Sequence, residues 1–180
     1  MKYLLCAIAL LNPVSAQAAE QYWNYGDWTV FVQSYDTGQD FRVVCTASTG
    51  GDGDPILSIS LSNGDAAPPY YYPEPTVYEY APRGYGTVMQ DGARVLFEFD
   101  VDWRTEAFVT AGFDEEGFAK AAARAHPGDS LGLLQTMRHA STLWVTLDGA
   151  VVYAASLAGF TAAYGKMAEQ CGFPTTGVID

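Results

Sequence analysis

The stretch SLAGFTAAYGKMAEQCG, Ser156 to Gly172, follows a strand-like run directly, carries helical periodicity and ends on a cysteine. Leu157, Phe160, Ala163, Tyr164, Met167 and Cys171 recur at spacings of three and four, which sets them on one stripe of an amphipathic helix. Ser156 is placed to cap its start, and Gly172 to end it in a left-handed conformation. Gly165 costs roughly 1 kcal/mol of helix propensity against alanine, so its presence predicts close approach of a neighbouring element. A one-sided apolar helix must dock on something. The rest of the chain predicts a sheet.

Working outward, STLWVTLDGAVVYAAS reads as a hairpin turning at Asp148-Gly149, a pair suited to a type I′ turn. DWTVFVQ puts Trp28, Val30 and Val32 on one face, and DFRVVCTAS does the same for Phe41, Val43 and Cys45. PILSISLS sets Leu57, Ile59 and Leu61 against Ile56, Ser58 and Ser60. In ARVLFEFDVDW, Val95, Phe97, Phe99, Val101 and Trp103 alternate with Glu98, Asp100 and Asp102, and TEAFVTA is its hairpin partner. Two further helices are predicted. DEEGFAKAAARA has acids at its start and Lys120 and Arg124 towards its end, with Glu116 and Lys120 four apart. SLGLLQTMRHA, entered from Asp129 or Ser130, is expected to bury Leu131, Leu134 and Met137. The fold class is therefore mainly β with two or three short helices, the last of them C-terminal.

The N-terminal residues combine Lys2, an apolar run from Tyr3 to Leu11 and the small-residue site Ala16-Gln17-Ala18. This pattern predicts a secretory leader at 1–18, cleaved after Ala18 or Ala19, with an apolar run too short to span a bilayer. Cleavage leaves roughly 160 of the 180 residues, enough for one domain, 19–180, with its own core. It also removes Cys6 and leaves Cys45 and Cys171, so an exported chain is expected to pair them. Cys171 lies on the apolar stripe of its helix and Cys45 on the Phe41/Val43 face, so both point inward. The expected location is the periplasm or the exterior.

With 9 basic against 21 acidic residues, the net charge is -12 and the pI about 4.3. Nucleic acid is disfavoured as a partner, because phosphate neutralisation needs clustered Lys and Arg. No membrane span is expected in the mature chain.

YAASLAGFTAAYGKM, through its Ser156 to Ala163 run, resembles the C-terminal strand-to-helix signature of the invasion-associated locus B family, exported proteins of alphaproteobacteria. YGDWTVFV at Tyr25 to Val32 resembles that family's Gly-Asp-Trp opening, and LLQTMRHASTLWV its order of short helix, small-residue turn and strand. The resemblance implies an immunoglobulin-like β-sandwich and an association with host-cell invasion, with no catalytic residues to carry over. The chain departs from the pattern at Phe31, Val32 and Gln33, where many members place a cysteine.

Few residues carry the marks of chemistry. His126 sits in a turn and His139 at a helix end, without paired ligand spacing, so no metal site is expected. GGDGDP around Asp52 and Asp54 lacks the later ligands of a calcium loop and reads as a turn. No cofactor motif is present. Glu98, Asp100 and Asp102, about 6.5–7 Å apart along one strand face, meet the separation used by inverting glycosidases. They support the alternative reading, a hydrolase of an envelope polymer. The most unusual segment is APPYYYPEPTVYEYAPRGYG, residues 67–86, in which five prolines punctuate Tyr70, Tyr71, Tyr72, Tyr78, Tyr80 and Tyr85. Tyrosine offers a rigid ring and a hydroxyl at low entropic cost. These six are the candidate contact surface of a non-enzymatic module that binds an envelope or host protein or a glycan. The competing reading is a covering loop packed on the sheet.

Overall fold

The computed structural model describes residues 19–36 and 38–180; the expected leader at 1–18 lies outside the described residues. The described residues form ten strands and two helices: β1 (Ala19–Tyr25), β2 (Trp28–Asp36), β3 (Phe41–Gly50), β4 (Ile56–Ser62), β5 (Thr76–Tyr80), β6 (Arg94–Phe99), β7 (Arg104–Phe113), β8 (Ala119–Ala125), α1 (Ser130–His139), β9 (Thr142–Leu147), β10 (Ala150–Ser156) and α2 (Phe160–Cys171). The strands make one antiparallel sheet in the order β1-β2-β3-β4-β5-β8-β7-β6-β9-β10. Mainly β architecture with a C-terminal helix is thus as the sequence predicts. The immunoglobulin-like assignment rests on the resemblance alone.

Strict alternation makes the inner face. Trp28, Val30 and Val32 on β2, Cys45 and Ala47 on β3, Leu57, Ile59 and Leu61 on β4, and Val95, Phe97 and Phe99 on β6 are all buried. Phe41, expected on the same inward face as Cys45, is exposed at the start of β3. The sheet curls until its last strand reaches β3: Tyr153 on β10 donates a long hydrogen bond to the Thr49 carbonyl on β3 at 3.4 Å. Asp148 and Gly149 both have positive φ at the β9–β10 turn, as a type I′ turn requires.

Helix α2 buries Phe160, Ala163, Tyr164, Met167 and Cys171, with Leu157 buried just ahead of it, so the expected stripe is intact. The disulfide Cys45–Cys171 pins its last residue to β3, with Cα atoms 6.0 Å apart. The helix starts from Gly159 rather than Ser156, whose hydroxyl instead accepts from the Ala158 N–H at 3.2 Å. Gly159 has φ 101°, and a Cβ there would stand 1.7 Å from the Tyr25 carbonyl oxygen. No other residue fits that approach. Asp27 N–H donates to the Ala158 carbonyl at 3.0 Å, Trp28 Nε1 to the Ser156 carbonyl at 3.0 Å, and the Trp28 and Phe160 rings meet at 5.2 Å. Two of the motifs that carry the family resemblance, Tyr25–Val32 and Ser156–Ala163, far apart in sequence, are therefore one structural contact. Gly165 does face a neighbour: its Cβ would lie 3.2 Å from Ile179 Cδ1.

Further expectations fail, each for a physical reason. The helix predicted over DEEGFAKAAARA is a tight turn followed by β8. Asp114 Oδ1 accepts from the Glu116 and Phe118 N–H groups at 3.0 and 2.8 Å, Gly117 takes φ 81°, and the chain reverses into a hairpin with β7. Tertiary pairing on both sides of β8 overrides alanine's helical preference. The strand through Val95 stops at Phe99, so Glu98, Asp100 and Asp102 do not share a strand face; Val101 is exposed, while Trp103 still packs edge-on to Phe99 at 5.7 Å. Residues 67–86 are not one loop, because β5 lies within them as an interior strand. In α1 the buried residues are Leu133, Leu134 and Met137, with Leu131 half-buried.

Candidate functional site

Strand β5 alternates Val77, buried, with Tyr78 and Tyr80 on the opposite, outer face. Directly opposed residues of an antiparallel pair share a face. Register therefore extends that outer face in three rows. Thr76 opposes Ser58 and Arg124, and Arg124 opposes Phe108. Tyr78 opposes Ile56 and Ala122, and Ala122 opposes Thr110. Tyr80 opposes Lys120, and Lys120 opposes Gly112.

Large rings beside small residues make relief. A depression of about 350 Å³ is walled by Tyr78, Tyr80, Thr110, Gly112, Lys120 and Arg124. A second, of about 420 Å³, is lined among others by Ser58, Ser60, Asp65, Tyr71, Glu74 and Thr76. Tyr78 and Arg124 border both, so the two lie side by side as a groove across β4, β5, β8 and β7. Both depressions are open to solvent.

The groove's charged and aromatic groups are held in place. The Tyr78 and Tyr80 rings stack at a centroid distance of 6.4 Å and an interplanar angle of 20°. Arg124 lies over Tyr78, its Cζ 5.8 Å from the ring centre, and donates to the Tyr78 hydroxyl at 3.3 Å. Tyr71 donates to Glu74 Oε1 at 2.8 Å. Partial burial, then that hydrogen bond and the charges of Glu74 and Asp65, hold the Tyr71 phenol above its usual value. Asp65 Oδ2 accepts from the Ser62 N–H at 2.9 Å. Beneath them β5 is paired by β8 along Thr76–Tyr80 and by β4 over Thr76–Tyr78.

The six tyrosines divide. Tyr71, Tyr78 and Tyr80 line the groove. Tyr72 is half-buried and donates to the Thr176 carbonyl at 3.2 Å, which ties the segment to the chain after α2. Tyr70 and Tyr85, 95% and 72% exposed, project into solvent and line neither depression. Lys120 and Arg124, the cations of the groove, escaped sequence reasoning because the helical reading of residues 114–125 put them on a helix surface. The Asp114-x-x-Gly117 turn was the signal that could have found them.

The strand carboxylates serve other ends. Glu98 Oε2 accepts from the Thr146 hydroxyl at 2.6 Å. Asp100 accepts from the Ser141 N–H at 2.8 and 3.2 Å and from the Thr142 N–H at 3.2 Å, closing the turn between α1 and β9. Those backbone donors, Ser141 first, hold the Asp100 carboxyl below its usual value. Asp102 lies with Glu98, Val101 and Arg104 in a solvent-open depression of about 340 Å³ that neither Asp100 nor a histidine lines. His126 Nδ1 accepts from the Gly128 N–H at 3.1 Å within a turn, and His139 ends α1. Asp52 and Asp54 occupy the β3–β4 turn. Among the described residues no cluster of three or more His, Cys, Asp or Glu side chains is placed to hold a metal. No helix among them is long and apolar enough to cross a membrane.

No protein-family model, curated protein or solved structure matches the chain.

Proposed function

We propose that the protein is an exported, non-enzymatic glycan-binding module that holds a polysaccharide chain in the groove over Tyr78 and Tyr80. The observation that carries the reading is the aligned Tyr78–Tyr80 pair, with Arg124 beside it, on a strand interior to the sheet. An extended peptide gains affinity by adding a strand to a free edge, and over Thr76–Tyr78 this site has none. A docking helix needs an apolar groove, whereas Ser58, Ser60, Thr76 and Thr110 line this one. A sugar ring suits it better. Its C–H face lies against the electron-rich face of tyrosine, and its hydroxyls exchange hydrogen bonds with Ser, Thr and Tyr.

Export accords with the buried Cys45–Cys171 disulfide, which persists in oxidising compartments, and with the leader read at residues 1–18. We place the chain beside the invasion-associated locus B family on the Tyr25–Val32 and Ser156–Ala163 motifs. The binding test is calorimetric titration of the mature protein with a panel of neutral and acidic hexasaccharides. Tyr78→Ala and Tyr80→Ala each truncate a central aromatic anchor and are expected to weaken binding about thirtyfold, or about 2 kcal/mol. Failure of every member of the panel to bind removes the proposal.

A further inference from the structure

Lys120 and Arg124 stand out against the composition of the chain. Acids outnumber bases 21 to 9, yet among the described residues the ion pairs are Arg94–Glu106 and Lys166–Glu169, and neither groove cation joins one. Their cross-strand neighbours are uncharged: Tyr80 and Gly112 flank Lys120, and Thr76 and Phe108 flank Arg124. Both project from β8 on the outer face, four residues apart, which is about 13 Å along a strand. One sugar ring does not bridge that distance, so the two would meet different residues of a chain.

The acids of the groove, Asp65 and Glu74, line the depression that Arg124 also borders, whereas Lys120 lines only the other, and both acids are engaged. Asp65 is held by the Ser62 N–H, and Glu74 by the Tyr71 hydroxyl. The groove is therefore asymmetric in charge, with acids and Arg124 together in one depression and only the cations Lys120 and Arg124 in the other. Arg124 is already oriented by its hydrogen bond to Tyr78, and a planar guanidinium presents paired N–H donors that match a carboxylate. At a separation beyond about 8–10 Å, physiological salt screens the remaining surface charge, so the net -12 does not cancel a contact made at the two cations.

Resting on the glycan reading above, we infer that the groove selects a carboxylate-bearing polysaccharide, with Lys120 and Arg124 as its specificity determinants. Tyr78 and Tyr80 carry the sugar rings. The cations read the acid groups, and Asp65 and Glu74 set the polarity of the bound chain by repelling acid groups from the depression they line. Neutral glycans keep the stacking and lose the charge-assisted hydrogen bonds.

The test is calorimetric titration with hexasaccharides of galacturonate, mannuronate and glucuronate, each beside its carboxyl-reduced counterpart, in which the same backbone is neutral. The wild-type protein is expected to prefer an acidic hexamer to its reduced form by about tenfold or more, as charge-assisted bonds are roughly twice as strong as neutral ones. Lys120→Gln combined with Arg124→Gln is expected to bring acidic and reduced forms to equal affinity. Tyr80→Ala is expected to weaken both and leave their ratio unchanged. Thermal melts matching wild type would show that the variants fold. Equal or tighter binding of the reduced hexamers, or a preference that survives the double substitution, overturns the inference while the glycan reading stands. If no member of either set binds, both fall.

Discussion

Removing the Cys45–Cys171 cross-link tests how the terminal helix is held. The bridge spans 126 positions of sequence, and both cysteines are buried, at 0% and 7% exposure. In the chain-entropy picture, closing a loop of that length removes about 16 cal/mol/K from the unfolded chain, or ~5 kcal/mol at 25 °C. Residual structure in the unfolded state lowers the figure, so a loss of about 3–5 kcal/mol is expected for the Cys45→Ala, Cys171→Ala protein. The measurement is urea unfolding, followed by circular dichroism, of the mature oxidised protein and the double variant. Because the effect resides mainly in the unfolded chain, the native spectrum should be unchanged. The m-value should rise, as an unlinked chain exposes more surface. A loss below about 1 kcal/mol with an unchanged m-value would refute the reasoning, since a bridge of this span cannot then be constraining the unfolded chain.

Gly159→Ala places a side chain 1.7 Å from the Tyr25 carbonyl at φ 101°, so we expect a loss above about 3 kcal/mol or failure to fold in thermal melts. Gly165→Ala meets only the end of Ile179, and should stay within about 1 kcal/mol of wild type. Tyr164 is fully buried, and among the described residues its hydroxyl has no hydrogen-bond partner. Tyr164→Phe is therefore expected to be neutral or stabilising by about 1 kcal/mol in urea unfolding. Burial also raises the Tyr164 phenol's pKa, so its neutral form supports the fold. That contribution is intact below pH about 10 and declines as pH rises beyond it, so the Phe variant should resist alkaline melting better than wild type. Asp100 has the opposite sign. Its carboxyl is held low by Ser141 and Thr142, so its contribution is present above pH about 4 and is lost as pH falls further. Asp100→Asn should flatten that acid limb of a pH-stability curve.

The parts of the fold that were legible in the sequence are those where one period has one interpretation. Alternation at Trp28, Val30 and Val32 and at Leu57, Ile59 and Leu61 fits only a half-buried strand, and the stripe from Leu157 to Cys171 fits only a helix with one covered face. The same stripe pointed Cys171 inward, towards Cys45. Residues 114–125 were not legible because their pattern is degenerate. Lys120 and Arg124, four apart, share a face in a helix and share a face in a strand, and alanine between them is compatible with either. Long-range pairing of β8 with β5 and β7 decides the matter, and no local signal carries that pairing. The site was half-hidden for the same reason. Tyr78 and Tyr80 could be read from the Tyr/Pro segment, but their cations and the small residues that shape the groove come from β8 and β7. Glu98, Asp100 and Asp102 look alike in sequence because the alternation continues four residues, to Trp103, past the end of β6 at Phe99.

The account's central claim is that ligand is held over the middle of the sheet and not by the most exposed tyrosines. Backbone amide NMR of the mature protein, titrated with the tightest-binding hexasaccharide, tests it directly. Shifts concentrated in Thr76–Tyr80, Lys120–Arg124 and Thr110–Gly112, with Tyr70 and Tyr85 unmoved, are the expected result. Shifts gathered at Tyr70 and Tyr85 with β5 and β8 silent would contradict it.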